Sequence, residues 1–190
     1  MRLMLVTDPH RGTESNRALI SLLAGALGSA FVVQIRSRTA TWSPQQMLAL
    51  AVFAQDAGAA VWPNRQTWIA AHLGCEGIHE SFADRSLGDR TFKVRSAPVH
   101  TERERVLAVE RGATDLVVSP VFESAGKGTP CGLGFLSAVV NASPNQIVWA
   151  LGGVNATNAR MCIKAGAGGV AMMSALYDST DPVGLARSLW

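Results

Sequence analysis

Ala150-Leu151-Gly152-Gly153 closes one apolar run and Gly168-Gly169-Val170-Ala171-Met172-Met173-Ser174-Ala175-Leu176 forms the next, with one short predicted helix, residues 158–165, between them. Strand, glycine pair, helix, strand is a βαβ block, the unit from which parallel sheets are built. A glycine pair directly after a buried strand lets backbone N–H groups approach an oxyanion that a β-carbon would hold off, and the following helix adds a favourable field. Where such a block ends a series of strand–helix pairs, it matches the phosphate site that barrels build after their seventh and eighth strands. The other reading, glycines needed only for tight packing, stays open on sequence alone.

Upstream the same alternation repeats. Continuous apolar runs predict buried parallel strands at residues 3–7, 31–36, 59–62, 77–79, 92–95, 115–118 and 146–151, with 168–173 as the eighth. Helices are expected at 14–27, 67–73 and 133–141 from apolar spacing. Ser43-Pro44-Gln45-Gln46 supplies a cap, a proline at the first helical position and a glutamine three residues after the cap, opening a helix to Gln55. Thr101 and Glu104 form a second capping box for a helix ended by Gly112, and Asp181-Pro182 opens a last helix to Trp190. Eight strands strictly alternating with helices predict an α/β fold of the (β/α)8 TIM barrel type, one compact domain over residues 1–190. A doubly wound sheet is the weaker reading because it usually stops at five or six strands.

Composition bounds the partners. With 48% hydrophobic and 16% charged residues the chain is globular, and its formal charge of +3 comes from scattered rather than striped basic residues. A nucleic-acid partner is therefore not expected, whereas a small anionic ligand is. No apolar run approaches the ~18 residues of a membrane span, and the first seven residues are too short for a signal sequence, so a cytoplasmic protein without membrane contact is expected. Cys75, Cys131 and Cys162 lie far apart with no metal-ligand spacing and read as small buried hydrophobes. A homo-oligomer stays open.

In a barrel the chemistry lies at the strand C-termini, which makes Thr7-Asp8, residues 34–38, Asn64-Arg65, residues 79–84, 96–100 and 120–127 and the glycine pair the places to read. Gln34, Arg36 and Arg38 alternate, so a period of two aims all three into the barrel mouth. Two guanidiniums held together repel unless an anion sits between them, and Lys127 and Arg65 add further cationic charge. A diphosphate would neutralise such a rim; pairing of Arg36 with Asp8 or Glu80 inside the barrel is the alternative.

Leu5-Val6-Thr7-Asp8, Gln34-Ile35-Arg36-Ser37-Arg38, Gly77-Ile78-His79, Pro120-Val121-Phe122 with Lys127, and Ala150-Leu151-Gly152-Gly153, taken in order, resemble the thiamine phosphate synthase and thiazole tautomerase superfamily. The resemblance implies a barrel that joins a hydroxymethylpyrimidine diphosphate to a thiazole phosphate, with Mg²⁺ assisting, and so implies small phosphorylated pyrimidine and thiazole substrates. On this resemblance Gln34, Arg36, Arg38 and Asn64 match diphosphate-binding positions, and Lys127 reaches the same group. Ser124 keeps one hydroxyl of the run before that lysine. Gly152 and Gly153, with Met173 and Ser174 after strand eight, match the thiazole phosphate cradle. Arg36, Lys127 and His100 are the residues expected to act in catalysis, and Asp84 falls at one metal-binding aspartate.

The departures are specific. The family's Asn-Asp pair after strand three reads Asn64-Arg65, which replaces a metal ligand by a cation and makes Mg²⁺ binding weak or dependent on the substrate's oxygens. The Ser-x-His after strand five reads Pro98-Val99-His100. The tautomerase histidine before the Val-Phe pair is Pro120 here, as in synthases. Three activities follow from the resemblance: a synthase, a tautomerase-like isomerase on thiazole phosphate that needs no metal, and a non-catalytic barrel that binds thiazole or thiamine phosphate.

Overall fold

The computed structural model describes residues 1–37, 41–80, 92–124 and 126–189. Eight parallel strands run in the order β3-β2-β1-β8-β7-β6-β5-β4: β1 (Arg2–Val6), β2 (Phe31–Ile35), β3 (Ala60–Pro63), β4 (Gly77–His79), β5 (Val94–Val99), β6 (Asp115–Val118), β7 (Ile147–Leu151) and β8 (Gly169–Met172). The seam between β3 and β4 is joined at the mouth end, where Asn64 bridges His79 and the Arg65 N–H donates to the His79 carbonyl at 2.8 Å. The sheet is thereby a nearly closed barrel, the (β/α)8 architecture expected. Among the described residues the helices are α1 (Gly12–Leu27), α2 (Pro44–Asp56), α3 (Thr67–His72), α4 (Glu102–Glu110), α5 (Gly132–Ala142), α6 (Ala159–Lys164), α7 (Ser174–Tyr177) and α8 (Pro182–Arg187). Both predicted capping boxes form, at Ser43/Gln46 and Thr101/Glu104.

Two elements differ from the sequence reading. The fifth strand lies at Val94–Val99 rather than at 92–95, so it runs through Pro98. A proline is tolerated there because alternate residues of a parallel strand bond to opposite neighbours. Ser96 accepts from the Glu80 N–H on the β4 side, and Pro98, two residues on, faces the same side beyond the last paired residue of β4. The second difference is α7, a single turn directly after strand eight, where no helix was expected.

Strand alternation sorts the core into two clusters. Leu3, Leu5, Val33 and Ile35 belong to the layer between barrel and helices, whereas Met4, Val6, Val32, Trp62, Val117, Trp149 and Ala171 fill the interior. Two tryptophans carry most of that filling. Their rings meet edge to face, 5.5 Å apart at 79°. Space for them comes from glycines on adjacent strands: a β-carbon on Gly77 would stand 2.5 Å from Trp62 Nε1, and one on Gly169 2.6 Å from Trp149 Cε3. At the N-terminal end of the strands, the barrel floor, the Arg2 guanidinium lies 5.3 Å and 5.5 Å from the Trp62 and Trp149 ring centres. Trp149 Nε1–H donates to Asp115 Oδ1 at 2.7 Å and the Thr114 hydroxyl donates to its other oxygen at 2.8 Å. Burial still pushes the Asp115 carboxyl above the ordinary carboxylate value, against the lowering by Trp149, Thr114 and Arg2. Burial likewise pushes the Cys162 thiol up to about 11, in keeping with the cysteines as inert packing.

Candidate active site

The mouth opens onto one cavity whose wall includes Gln34, Arg36, Asn64, His100, Ser124, Lys127, Gly152, Gly153, Met173 and Ser174. Residues singled out from six separate strand ends are thus brought together. Arg38 and Asp84 lie outside the described residues.

On one side, Gln34 and Asn64 are buried and linked, with Asn64 Nδ2 donating to Gln34 Oε1 at 3.2 Å. The Gln34 amide also points a donor at Met4 Sδ, 3.6 Å away. Beside them the Arg36 backbone is fixed by the buried Thr7: its N–H donates to Thr7 Oγ1 at 2.8 Å, and that hydroxyl contacts the Arg36 carbonyl at 3.3 Å. The two carboxylates considered as internal partners for Arg36 each carry another arginine. Glu80 is bound by Arg95 at 3.1 Å and Asp8 lies 3.7 Å from Arg11. Arg65 is exposed, holds a left-handed backbone at φ 67°, and is not part of the cavity wall.

Opposite stands the glycine pair, and here the packing reading is what the geometry displays. Gly152 and Gly153 have φ of 91° and 65°, and a β-carbon on them would fall 2.6 Å from Pro120 Cα and 2.3 Å from the Glu123 carbonyl oxygen. The missing side chains admit the loop after β6, whose Val121 and Phe122 N–H groups donate to the Leu151 and Gly152 carbonyls at 2.9 Å each. The Gly153 carbonyl in turn accepts from Asn158 Nδ2 at 2.9 Å. Since carbonyl and N–H point oppositely across a trans peptide, the Gly153 and Val154 N–H groups turn away from those partners. Nothing among the described residues accepts from them. Next to them the first amides of α7, at Ser174 and Ala175, are orphan donors as at any helix start. The short helix is docked on the loop after β1: the Tyr177 hydroxyl donates to Asn16 Oδ1, and Asn16 Nδ2 donates to the carbonyls of Asp8 at 2.9 Å and Gly12 at 2.6 Å. Burial raises the Tyr177 hydroxyl well above its ordinary value and keeps it a donor.

Between the two sides are two histidines. His79 shares its Nδ1 with Ser96 Oγ at 2.9 Å. His100 Nδ1 contacts the Ser119 carbonyl, which can only accept, so Nδ1 donates there and Nε2 is left for other partners. Ser119 and Val154 also line the cavity and were not singled out from sequence, and Pro98, read there only as a departure from the family pattern, lines it too. An isolated hydroxyl between Val118 and Pro120 carries no motif; only its interior register, above Val117, marks it.

The donor set for a cation is thin. Among the described residues no group of three His, Cys, Asp or Glu side chains could hold a metal ion, Glu80 is tied to Arg95, and the Gln34 side-chain oxygen already accepts from Asn64. These residues do not fit Mg²⁺ without ligands from elsewhere. Among the described residues, no helix is long and apolar enough to cross a membrane.

A parallel barrel whose mouth gathers backbone amides with amide, guanidinium and ammonium groups in one cavity defines a TIM-barrel protein suited to phosphorylated small molecules. The family model described as thiamine monophosphate synthase matches residues 3–176. The thiamine-phosphate synthase of Chloroflexus aurantiacus is 34% identical, spanning 99% of this chain and 90% of its own. That of Methanoculleus marisnigri is 32% identical over 98% of this chain and 92% of its own. Among solved structures, thiamine phosphate pyrophosphorylase from Pyrococcus furiosus has the same fold, with a TM-score of 0.78 and 23% identity over 99% of this chain and 93% of that one. The chain belongs to the thiamine monophosphate synthase family, a family of transferases of thiamine biosynthesis. The tautomerase-like and purely binding alternatives are not favoured.

Proposed function

We propose that this chain is an active cytoplasmic thiamine-phosphate synthase, coupling hydroxymethylpyrimidine diphosphate to thiazole phosphate and releasing pyrophosphate. One observation carries the reading: Gln34, Arg36 and Asn64 face Gly153 and Ser174 across one cavity that Lys127 also lines, which gives one molecule two anion-binding ends. The bond from the pyrimidine methylene carbon to the diphosphate oxygen breaks, its electron pair leaving with the oxygen, and the thiazole nitrogen's lone pair forms the new C–N bond. Charge accumulates on the departing diphosphate, and Arg36 and Lys127 stabilise it where it develops. Gln34 and Asn64 orient the same group, Ser124 offers a hydroxyl beside Lys127, and the family resemblance assigns Arg38 to the diphosphate as well. The amides of Gly153 and Val154, with Gly152, Met173 and Ser174, hold the thiazole phosphate so that its nitrogen faces the breaking bond. His100 offers Nε2 to the substrates between the two ends.

Mg²⁺ belongs to the proposal only as an ion brought by the diphosphate, with Asp84 as the protein's contribution; no step is routed through it. Incubation with both substrates is expected to yield thiamine phosphate and one pyrophosphate per product, and neither with one substrate alone. Isomerisation of the thiazole in place of coupling would establish the tautomerase reading, and binding without either reaction the non-catalytic one.

A further inference from the structure

Ser119 is 3% exposed, lines the cavity, and its Oγ has no hydrogen-bond partner among the described residues. The rest of the residue is clamped. Its N–H donates to the Val99 carbonyl at 3.1 Å and its own carbonyl accepts from His100 Nδ1. Inward direction follows from strand alternation: Val117, two residues earlier, lies in the interior cluster and Val118 in the outer one. A buried hydroxyl without a partner costs stability that an alanine of nearly the same shape would not cost. In a cavity wall, such a group is aimed at what the cavity takes up.

Its place in the barrel selects the ligand. In the strand order β6 is the direct neighbour of β7, which carries the glycine pair, and it lies four strands from β2, which carries Gln34 and Arg36. In an eight-stranded barrel that is the opposite wall. A β-carbon on Gly152 would come within 3.4 Å of Ser119 Oγ, so the hydroxyl adjoins the start of the amide cradle. We propose that Ser119 is a recognition residue: its hydroxyl hydrogen-bonds the phosphate ester oxygen of the compound whose phosphate lies against Gly153 and Val154, leaving the ring nitrogen free. This rests on the function proposed above, in which that compound is the thiazole phosphate.

Calorimetric titration of the full chain with thiazole phosphate and, separately, with the pyrimidine diphosphate tests it on wild type and Ser119→Ala. Ser119→Ala is expected to weaken thiazole phosphate about tenfold, the loss of one hydrogen bond in a water-poor site, and to leave the pyrimidine diphosphate within about twofold. The Tm of the ligand-free variant stays equal or rises, because no protein partner is orphaned. Unchanged thiazole phosphate affinity, a loss confined to or shared by the pyrimidine diphosphate, or a Tm lowered by several degrees would overturn the assignment. A wild-type chain that binds neither compound marks the failure of the proposed function and removes the inference with it, a result read from the wild-type titrations alone.

Discussion

The floor and the mouth of this barrel are built from the same strands and treat polar groups in opposite ways. At the floor Arg2 stacks on two indoles, Asp115 accepts from Trp149 and Thr114, and the space is filled by ring carbon against glycine. At the mouth Ser119 Oγ and the N–H groups of Gly153 and Val154 have no acceptor or donor among the described residues. The floor's polar groups are paired with one another, whereas this hydroxyl and these two amides keep their bonding capacity towards the cavity. The contrast matches the division of barrels into a stability face and a chemical face.

Breaking the floor should give the largest effect. Trp149→Ala removes a fully buried ring, its edge-to-face contact and the donor to Asp115, and is expected to cost about 3–5 kcal/mol in urea-induced unfolding. Next comes the mouth. Lys127→Ala should lower turnover roughly 10²- to 10³-fold, while stability stays within about 0.5 kcal/mol because Lys127 is exposed. Gly77→Ala sharpens the same contrast from the floor side: its methyl meets the Trp62 indole, and overpacking should cost about 1–3 kcal/mol with thiazole phosphate affinity retained.

The smallest effect concerns Asp115. Its carboxyl is raised above 3.8 in the fold, so the folded state binds the proton more tightly than the unfolded chain. Its contribution is therefore fully present below the ordinary value and is lost as pH rises through the raised one. Relative to Asp115→Asn, wild type should lose stability as pH rises from about that ordinary value towards neutrality. A flat difference between the two proteins would show that Arg2, Trp149 and Thr114 offset the burial completely.

Much of the barrel was legible because parallel strands covered on both faces read as continuous apolar runs, and because Ser43/Gln46 and Thr101/Glu104 mark helix starts by local chemistry alone. What was hidden depended on distant neighbours. Pro98 disguised the end of β5, since only the early end of β4 makes a proline acceptable there. Ser174-Ala175-Leu176-Tyr177 continued an apolar run without a period to separate turn from strand. The glycine pair was legible as a site but not as a seat for Pro120 and Glu123, and no local signal ties Gly77 to Trp62 or marks Ser119. Of the cavity wall, residues 34 and 36 were readable from their alternation and 64 and 127 through the family resemblance; the hydroxyl set by register was not.

The central claim is that the mouth holds a diphosphate at its cationic side while the floor only holds the fold. Pyrophosphate release from the two substrates together, measured on wild type and Arg36→Ala with Tm recorded in parallel, tests it most directly. Wild type is expected to release pyrophosphate in step with thiamine phosphate, and Arg36→Ala to lose at least about a hundredfold in rate at an unchanged Tm. An undiminished rate in Arg36→Ala, or a loss that merely follows a fallen Tm, would contradict the account.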